Sequence, residues 1–235
     1  ALSSQLATLH QDVPVDCDLE TLRYTGPDYA GLERLLNELE FRKLVKEMVP
    51  SIAPSFEMDG ADYLAVLDEA GLSALAAELS AQPLASIALV LDDEGFGASL
   101  LGLGVGLAED RARYVVIAGE LSETAVIRAL RPFLEDAAKI KLTDNSKALY
   151  LWALKHGVEV RGVAMDTSLA SYLVEPARPE HTPAALGYDL LGISPEEVMD
   201  GADVKVETYA ECKKASIIIK ISKILEKELD VEGLA

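Results

Sequence analysis

The hydrophobic and polar positions divide the chain into three stretches. Residues 1–48 carry a helical pattern: LSSQLATL is one short segment, and DYAGLERLLNELEFRKLVKEM is a longer amphipathic one. In the latter Leu32, Leu35, Leu36 and Leu39 recur at helical spacing, behind a TGPD turn whose Asp28 is suited to cap the helix. Residues 49–61 bring prolines, serines and a glycine without any period, the composition of a linker and a domain boundary. From Asp62 to the end, strand and helix patterns alternate.

That last stretch starts with a short strand, DYLAVLD, and an alanine- and leucine-rich helix stopped by Pro83. Three strands follow in quick succession: IALVLDD, SLLGLGVGLAE and ARYVVIAG. Their short connections favour antiparallel neighbours. Then come a helix (SETAVIRALRPFLEDA), a strand (KIKLT), a helix (NSKALYLWALKHG), a strand (VEVRGVAMD) and further helices, the last being the longest. The pattern predicts an α/β domain, a mixed sheet with helices on its faces. Gly102, Gly104 and Gly106 alternate with apolar residues inside the second of the three strands. A dinucleotide loop needs its glycines at a strand-to-helix turn, so these instead mark a strand face that a helix or another backbone approaches closely.

Charge narrows the partners. Forty acidic against 21 basic residues give a net charge of −19, and such a chain repels a polyanion at long range. No apolar run approaches the roughly 20 residues that cross a bilayer, and ALSSQLATLH has no signal-peptide layout, so a cytoplasmic protein without membrane contacts is expected. Cys17 and Cys212 have no metal-ligand or disulfide spacing and read as ordinary thiols. His10, His156 and His181 are scattered and expected to be solvent-exposed, while Trp152 belongs to an apolar helix and to the core. Asp166, ahead of SLASYLVEP, reads as a helix N-cap. Arg111, Arg113, Arg128 and Arg131 form no basic stripe.

Several phrases together carry a family resemblance. SIALVLDDEG, SLLGLGVGLA, LRPFLED and KIKLTDNSKALYLWALKHGVEVRGVAMDTSLASYLVEP resemble the 3′–5′ exonuclease domain of bacterial DNA polymerase I, family A. GVEVRGVAMDTSLASYLVEP is particularly close to it. LSSQLATLHQDVPVD and LERLLNELEFRKLV are similar to the end of the 5′-nuclease domain that precedes it in that family. The resemblance implies a ribonuclease H-like mixed sheet at 62–235, behind a helical end of the 5′-nuclease domain at 1–48 and a linker at 49–61. The chain stops at KELDVEGLA, where the family continues into its polymerase domain, so polymerase activity is not expected of this segment.

The resemblance also implies a site. The family's exonuclease chemistry uses four carboxylates and a tyrosine around two divalent metals about 4 Å apart, which activate water and stabilise the leaving oxygen. Asp92 and Glu94 match its Asp-x-Glu, with Asp93 read as a solvent-facing turn residue. Asn145 matches its asparagine, but the aspartate four residues later is Leu149 here. Tyr209 matches its tyrosine, but the aspartate four residues later is Lys213. Two of the four carboxylates are thus missing, and a lysine repels the cation it should help to bind. Lys213 is expected to pair with Asp92 or Glu94 as an ionic substitute for the lost metal. A shifted register would recruit Asp200 or Asp203, at the cost of spoiling the buried face of Ile217, Ile218 and Ile221.

The implied function is a vestigial exonuclease domain without a functional catalytic set or cofactor. It would act as a monomeric block that supports the polymerase domain and spaces it from the 5′-nuclease domain, meeting DNA through the parent enzyme in the cytoplasm at the nucleoid. The alternative is a weak exonuclease for single-stranded DNA ends, with Mg²⁺ or Mn²⁺ on Asp92 and Glu94 beside Tyr209. A third reading, a nucleotide-binding protein using GLGVGLA, predicts dinucleotide affinity without metals.

Overall fold

A computed structural model describes residues 8, 31–32, 35–36, 61–93, 95, 97–119, 121–193 and 204–233. The chain divides into two compact units, Ala1–Glu57 and Met58–Ala235. In the first, residues 31–32 and 35–36 are helical, with Leu36 buried and Leu35 exposed. The remainder of the 1–48 segment, Cys17 and His10 included, and residues 49–60 of the expected linker lie outside the described residues, as do Glu94, Asp200 and Asp203.

The second unit runs β1 (Asp62–Val66), α1 (Glu69–Ala81), β2 (Leu84–Leu91), β3 (Leu100–Ala108), β4 (Arg111–Val116), α2 (Glu123–Glu135), β5 (Ile140–Thr143), α3 (Ser146–Lys155), β6 (Val163–Asp166), α4 (Thr167–Val174), α5 (Pro183–Leu191) and α6 (Val204–Glu232). One six-stranded sheet has the order β1-β4-β3-β2-β5-β6. The tightly connected β2, β3 and β4 pair antiparallel, while β1, β5 and β6 join parallel through helical crossovers. This is the mixed α/β architecture that the alternating pattern predicts.

Side-chain alternation sorts the sheet into two faces. Ala85 and Ile87 of β2, Leu103, Val105 and Leu107 of β3, and Val115 of β4 form the larger core with Leu72, Leu75 and Leu79 of α1 and the buried sides of α2 and α3. Trp152 lies in this core, 3% exposed. The opposite face is covered by α6, and α4 and α5 pack against α6 in turn. Ile217, Ile218 and Ile221 of α6 are buried, as its apolar periodicity predicts.

The glycine stripe explains how close α6 comes. A Cβ on Gly104 would stand 2.9 Å from the carbonyl oxygen of Glu211, and one on Gly106 would stand 2.7 Å from that of Ala215. Contacts that short leave room only for hydrogen. The three glycines lie inside a strand, with no loop there to cradle a phosphate.

One strand is shorter than its sequence predicts. Of VEVRGVAMD only Val163–Asp166 pairs with β5. Gly157 and Gly162 adopt φ of 65° and 71°, and between them Val158 donates to Ala153 and Arg161 to Leu134. The segment is therefore tied to the ends of α3 and α2, burying Val158 and Val160 before β6 begins.

Candidate functional site

The carboxyl ends of the parallel strands β2, β5 and β6 and the first turns of α3 and α4 bring most of the chemistry-bearing residues to one end of the sheet. Asp92 follows the last residue of β2 and is exposed. Its Oδ1 accepts the N–H of Ser99 at 2.7 Å, and its own N–H donates to the Ser99 carbonyl at 3.2 Å, which closes the β2–β3 hairpin. Lys155 of α3 holds the same hairpin by donating to the carbonyl of Ala98 at 2.9 Å.

Asn145 caps α3, its Oδ1 accepting the N–H of Ala148 at 2.9 Å. Leu149, one turn further on, points into the larger core and is 0% exposed. On α6, Tyr209 meets Tyr63 of the edge strand β1 edge-on, with ring centroids 5.6 Å apart. The Lys213 ammonium lies over the Tyr209 ring, 5.4 Å from its centroid. Asn145 and Leu149 thus share α3, and Tyr209 and Lys213 share the α6 surface above the β1 edge.

The structure adds a polar cluster between α6 and the sheet. Lys214, the residue after Lys213, stands 3.6 Å from Asp144 at the end of β5 and 4.0 Å from Glu211 on its own helix. Burial pushes both carboxyls above the usual carboxylate range, and Lys214 offsets this only in part. Nearby, the buried Tyr114 hydroxyl donates to Glu207 at 2.6 Å, and Gly102 leaves the space that this ring fills. Burial, and then the Glu207 carboxylate, raise the Tyr114 pKa. The buried thiol of Cys212 is pushed up to about 12, which fits an inert core thiol.

A sequence signal for this cluster exists. Glu207, Glu211 and Lys214 continue, at helical spacing, the stripe that runs through Ile218, Ile221 and Leu225, so charged residues occupy a sheet-facing register. Beside it a cleft of about 760 Å³ reaches the outer side of Asp144, between Ser146, Tyr150, Asp166 and Tyr172. Asp166 caps α4 as expected.

The two described histidines depart from the exposed surface positions that scattered spacing suggests. His156 is 16% exposed, with Nε2 2.8 Å from Glu123, because the C-terminal end of α3 closes over the start of α2. Glu123 also accepts from Trp152 Nε1 at 3.1 Å and from Lys155 at 3.3 Å. His181 is half-buried, its Nδ1 2.8 Å from Ser171 Oγ. Among the described residues no three acidic, histidine or cysteine side chains converge as a metal ion would require, and no helix is long and apolar enough to cross a membrane.

Known proteins resemble this chain in sequence and in fold. DNA polymerase I of Pseudomonas aeruginosa is 31% identical over 211 residues, 82% of this chain and 23% of that protein. DNA polymerase I of Geobacillus stearothermophilus is 29% identical over 97% of this chain and 26% of its own length. The chain thus spans about a quarter of the length of these curated relatives. Among solved structures, the catalytic core of RRP6 from Trypanosoma brucei aligns with TM-score 0.63 at 13% identity, over 87% of this chain and 57% of that one. NrnC of Brucella melitensis with bound Mg²⁺ aligns with TM-score 0.56 at 14% identity, over 74% of this chain and 84% of that one. At such identities the likeness is one of fold, and it supports the ribonuclease H-like architecture. Residues 90–209 match the family described as DNA polymerase I, ribonuclease H-like domain. The chain therefore belongs to the DNA polymerase I family and carries its exonuclease-like, ribonuclease H-like domain.

Proposed function

We propose that this domain is a non-catalytic remnant of a proofreading exonuclease, kept as a structural block within a polymerase that acts in DNA replication and repair. The observation that carries the reading is the state of the two positions where the family would complete its ligand set. Leu149 is sealed in the apolar core, and Lys213 brings an ammonium that rests on the Tyr209 ring. A divalent ion near that ammonium would meet a repulsion on the order of 4 kcal/mol per unit charge pair at 4 Å and an effective dielectric of 20. The residues present therefore fit a two-metal site poorly, and Asp92 is engaged in closing its own hairpin.

In this reading the segment before residue 49 is the end of a 5′-nuclease domain, and a polymerase domain works in cis with the block. The net charge of −19 favours contact with DNA through those neighbours rather than through this domain itself. The block would be monomeric and cytoplasmic, at the nucleoid, and would need no cofactor.

The test is digestion of labelled single-stranded DNA by the purified chain in Mg²⁺ and then Mn²⁺, beside an Asp92→Ala control. No cleavage above the control is expected. Cleavage that disappears with Asp92→Ala would establish the alternative, a weak metal-dependent exonuclease built on Asp92, Glu94 and Tyr209.

A further inference from the structure

We infer that the Lys214 ammonium is a built-in counter-ion shared by an acid at the end of β5 and an acid on α6, and that it so locks the helix onto the sheet. Its two carboxylates come from different elements: Asp144 from the β5–α3 junction, 3.6 Å away, and Glu211 from α6, 4.0 Å away. Both side chains are mostly buried, 15% and 16% exposed. Glu211 Oε2 is buried and accepts no hydrogen bond, so the ammonium is its principal compensation.

The other acids around the cluster are already engaged. Glu207, one turn earlier on α6, accepts from Tyr114. Asp166, at the end of β6, accepts two backbone N–H groups. Lys213 projects toward Tyr209, on another side of the helix from Asp144. Asp144 and Glu211 therefore share one cation, and removing it would leave two like charges facing each other in a poorly solvated space. Lys214, the neighbour of the Lys213 that the sequence singles out, is thus the lysine that meets these two acids.

The inference does not depend on the proposed function. The test uses melting, without nucleic acid, so its failure leaves the cleavage result untouched. Midpoints are measured in EDTA for the full chain, Lys214→Met, Asp144→Asn and the double variant. Lys214→Met should melt several degrees below the parent, and adding Asp144→Asn should recover most of that loss. Millimolar Mn²⁺ or Mg²⁺, which reaches Asp144 from the cleft, should raise the midpoint of Lys214→Met and leave the parent unmoved. If Lys214→Met does not fold in EDTA, the double variant must still fold. Additive losses, a double variant that fails to fold, or a parent stabilised by the metal as much as the variant would each overturn the inference.

Discussion

The carboxylate of Asp166 reaches across to the N–H of Ser146, at 2.7 Å from Oδ2, while its Oδ1 accepts the N–H of Leu169 at 3.1 Å. One side chain thereby caps α4, which it begins, and α3, twenty residues earlier in the chain. Each helix leaves unpaired N–H groups at its start, and a cap contributes about 1 kcal/mol. Asp166→Ala should accordingly cost about 2 kcal/mol in urea unfolding. Asp166→Asn, with a single carbonyl oxygen, should cost about half of that. Equal losses for the two substitutions would count against the double cap.

Gly106 and Gly97 should respond oppositely to alanine. A Cβ on Gly106 would stand 2.3 Å from Ser86 Oγ and 2.7 Å from the Ala215 carbonyl, the two atoms that hydrogen-bond to each other at 2.6 Å. Gly106→Ala should push α6 from the sheet and cost roughly 1–3 kcal/mol. Gly97, exposed and with nothing within 4 Å of its would-be Cβ, should accept alanine within about 0.5 kcal/mol. Thermal midpoints of the two variants decide the matter.

Glu123 gathers Trp152, Lys155 and His156 at the junction of α2 and α3. Burial raises its pKa, but the bonds from His156 and Lys155 outweigh this and hold it below its ordinary value of 4.5. The folded state thus holds this proton less tightly than the unfolded chain. Its contribution is complete above the unfolded carboxyl range and is lost as pH falls through the lower folded value. Glu123→Gln should therefore destabilise by about 1.5–3 kcal/mol near neutral pH. The gap to the parent should narrow once the pH drops below the ordinary carboxyl range. A gap of the same size in acid would show that the charge is not its source.

Installing at positions 149 and 213 the aspartates that the resemblance implies should separate the two positions. Leu149→Asp would bury a carboxylate among the core side chains around Trp152 and should cost more than about 4 kcal/mol, enough to unfold the domain. Lys213→Asp replaces a half-buried residue on α6 that is no part of the larger apolar core, and should fold. Circular dichroism of the two variants is sufficient to check this. A well-folded Leu149→Asp protein would mean that position 149 is more open than its burial indicates.

Much of this is legible in the chain because it is local. The capping residues Asp68, Ser122, Asn145, Asp166 and Thr182 sit directly ahead of their helices, each accepting an N–H three residues on. The alternation of glycine with Leu103 and Val105 marks the face on which α6 rests. The rest depends on groups far apart in sequence. Position 149 reads as a missing ligand, and only the packing of α3 into the larger core, with its end held at Glu123 of α2, shows that its side chain points inward.

The sequence by itself determined the α/β class and the antiparallel run of three strands, since periodicity and short connections are properties of neighbouring positions. Tertiary structure alone decided the parallel pairing of β1, β5 and β6 and the second helix that Asp166 caps. It also decided which lysine meets the buried acids. Lys213 and Lys214 differ by one step along α6, about 100° around the helix axis. The path of α6 across the glycine face turns the first toward Tyr209 and the second toward Asp144, because each helical residue can face only what the packing sets before it.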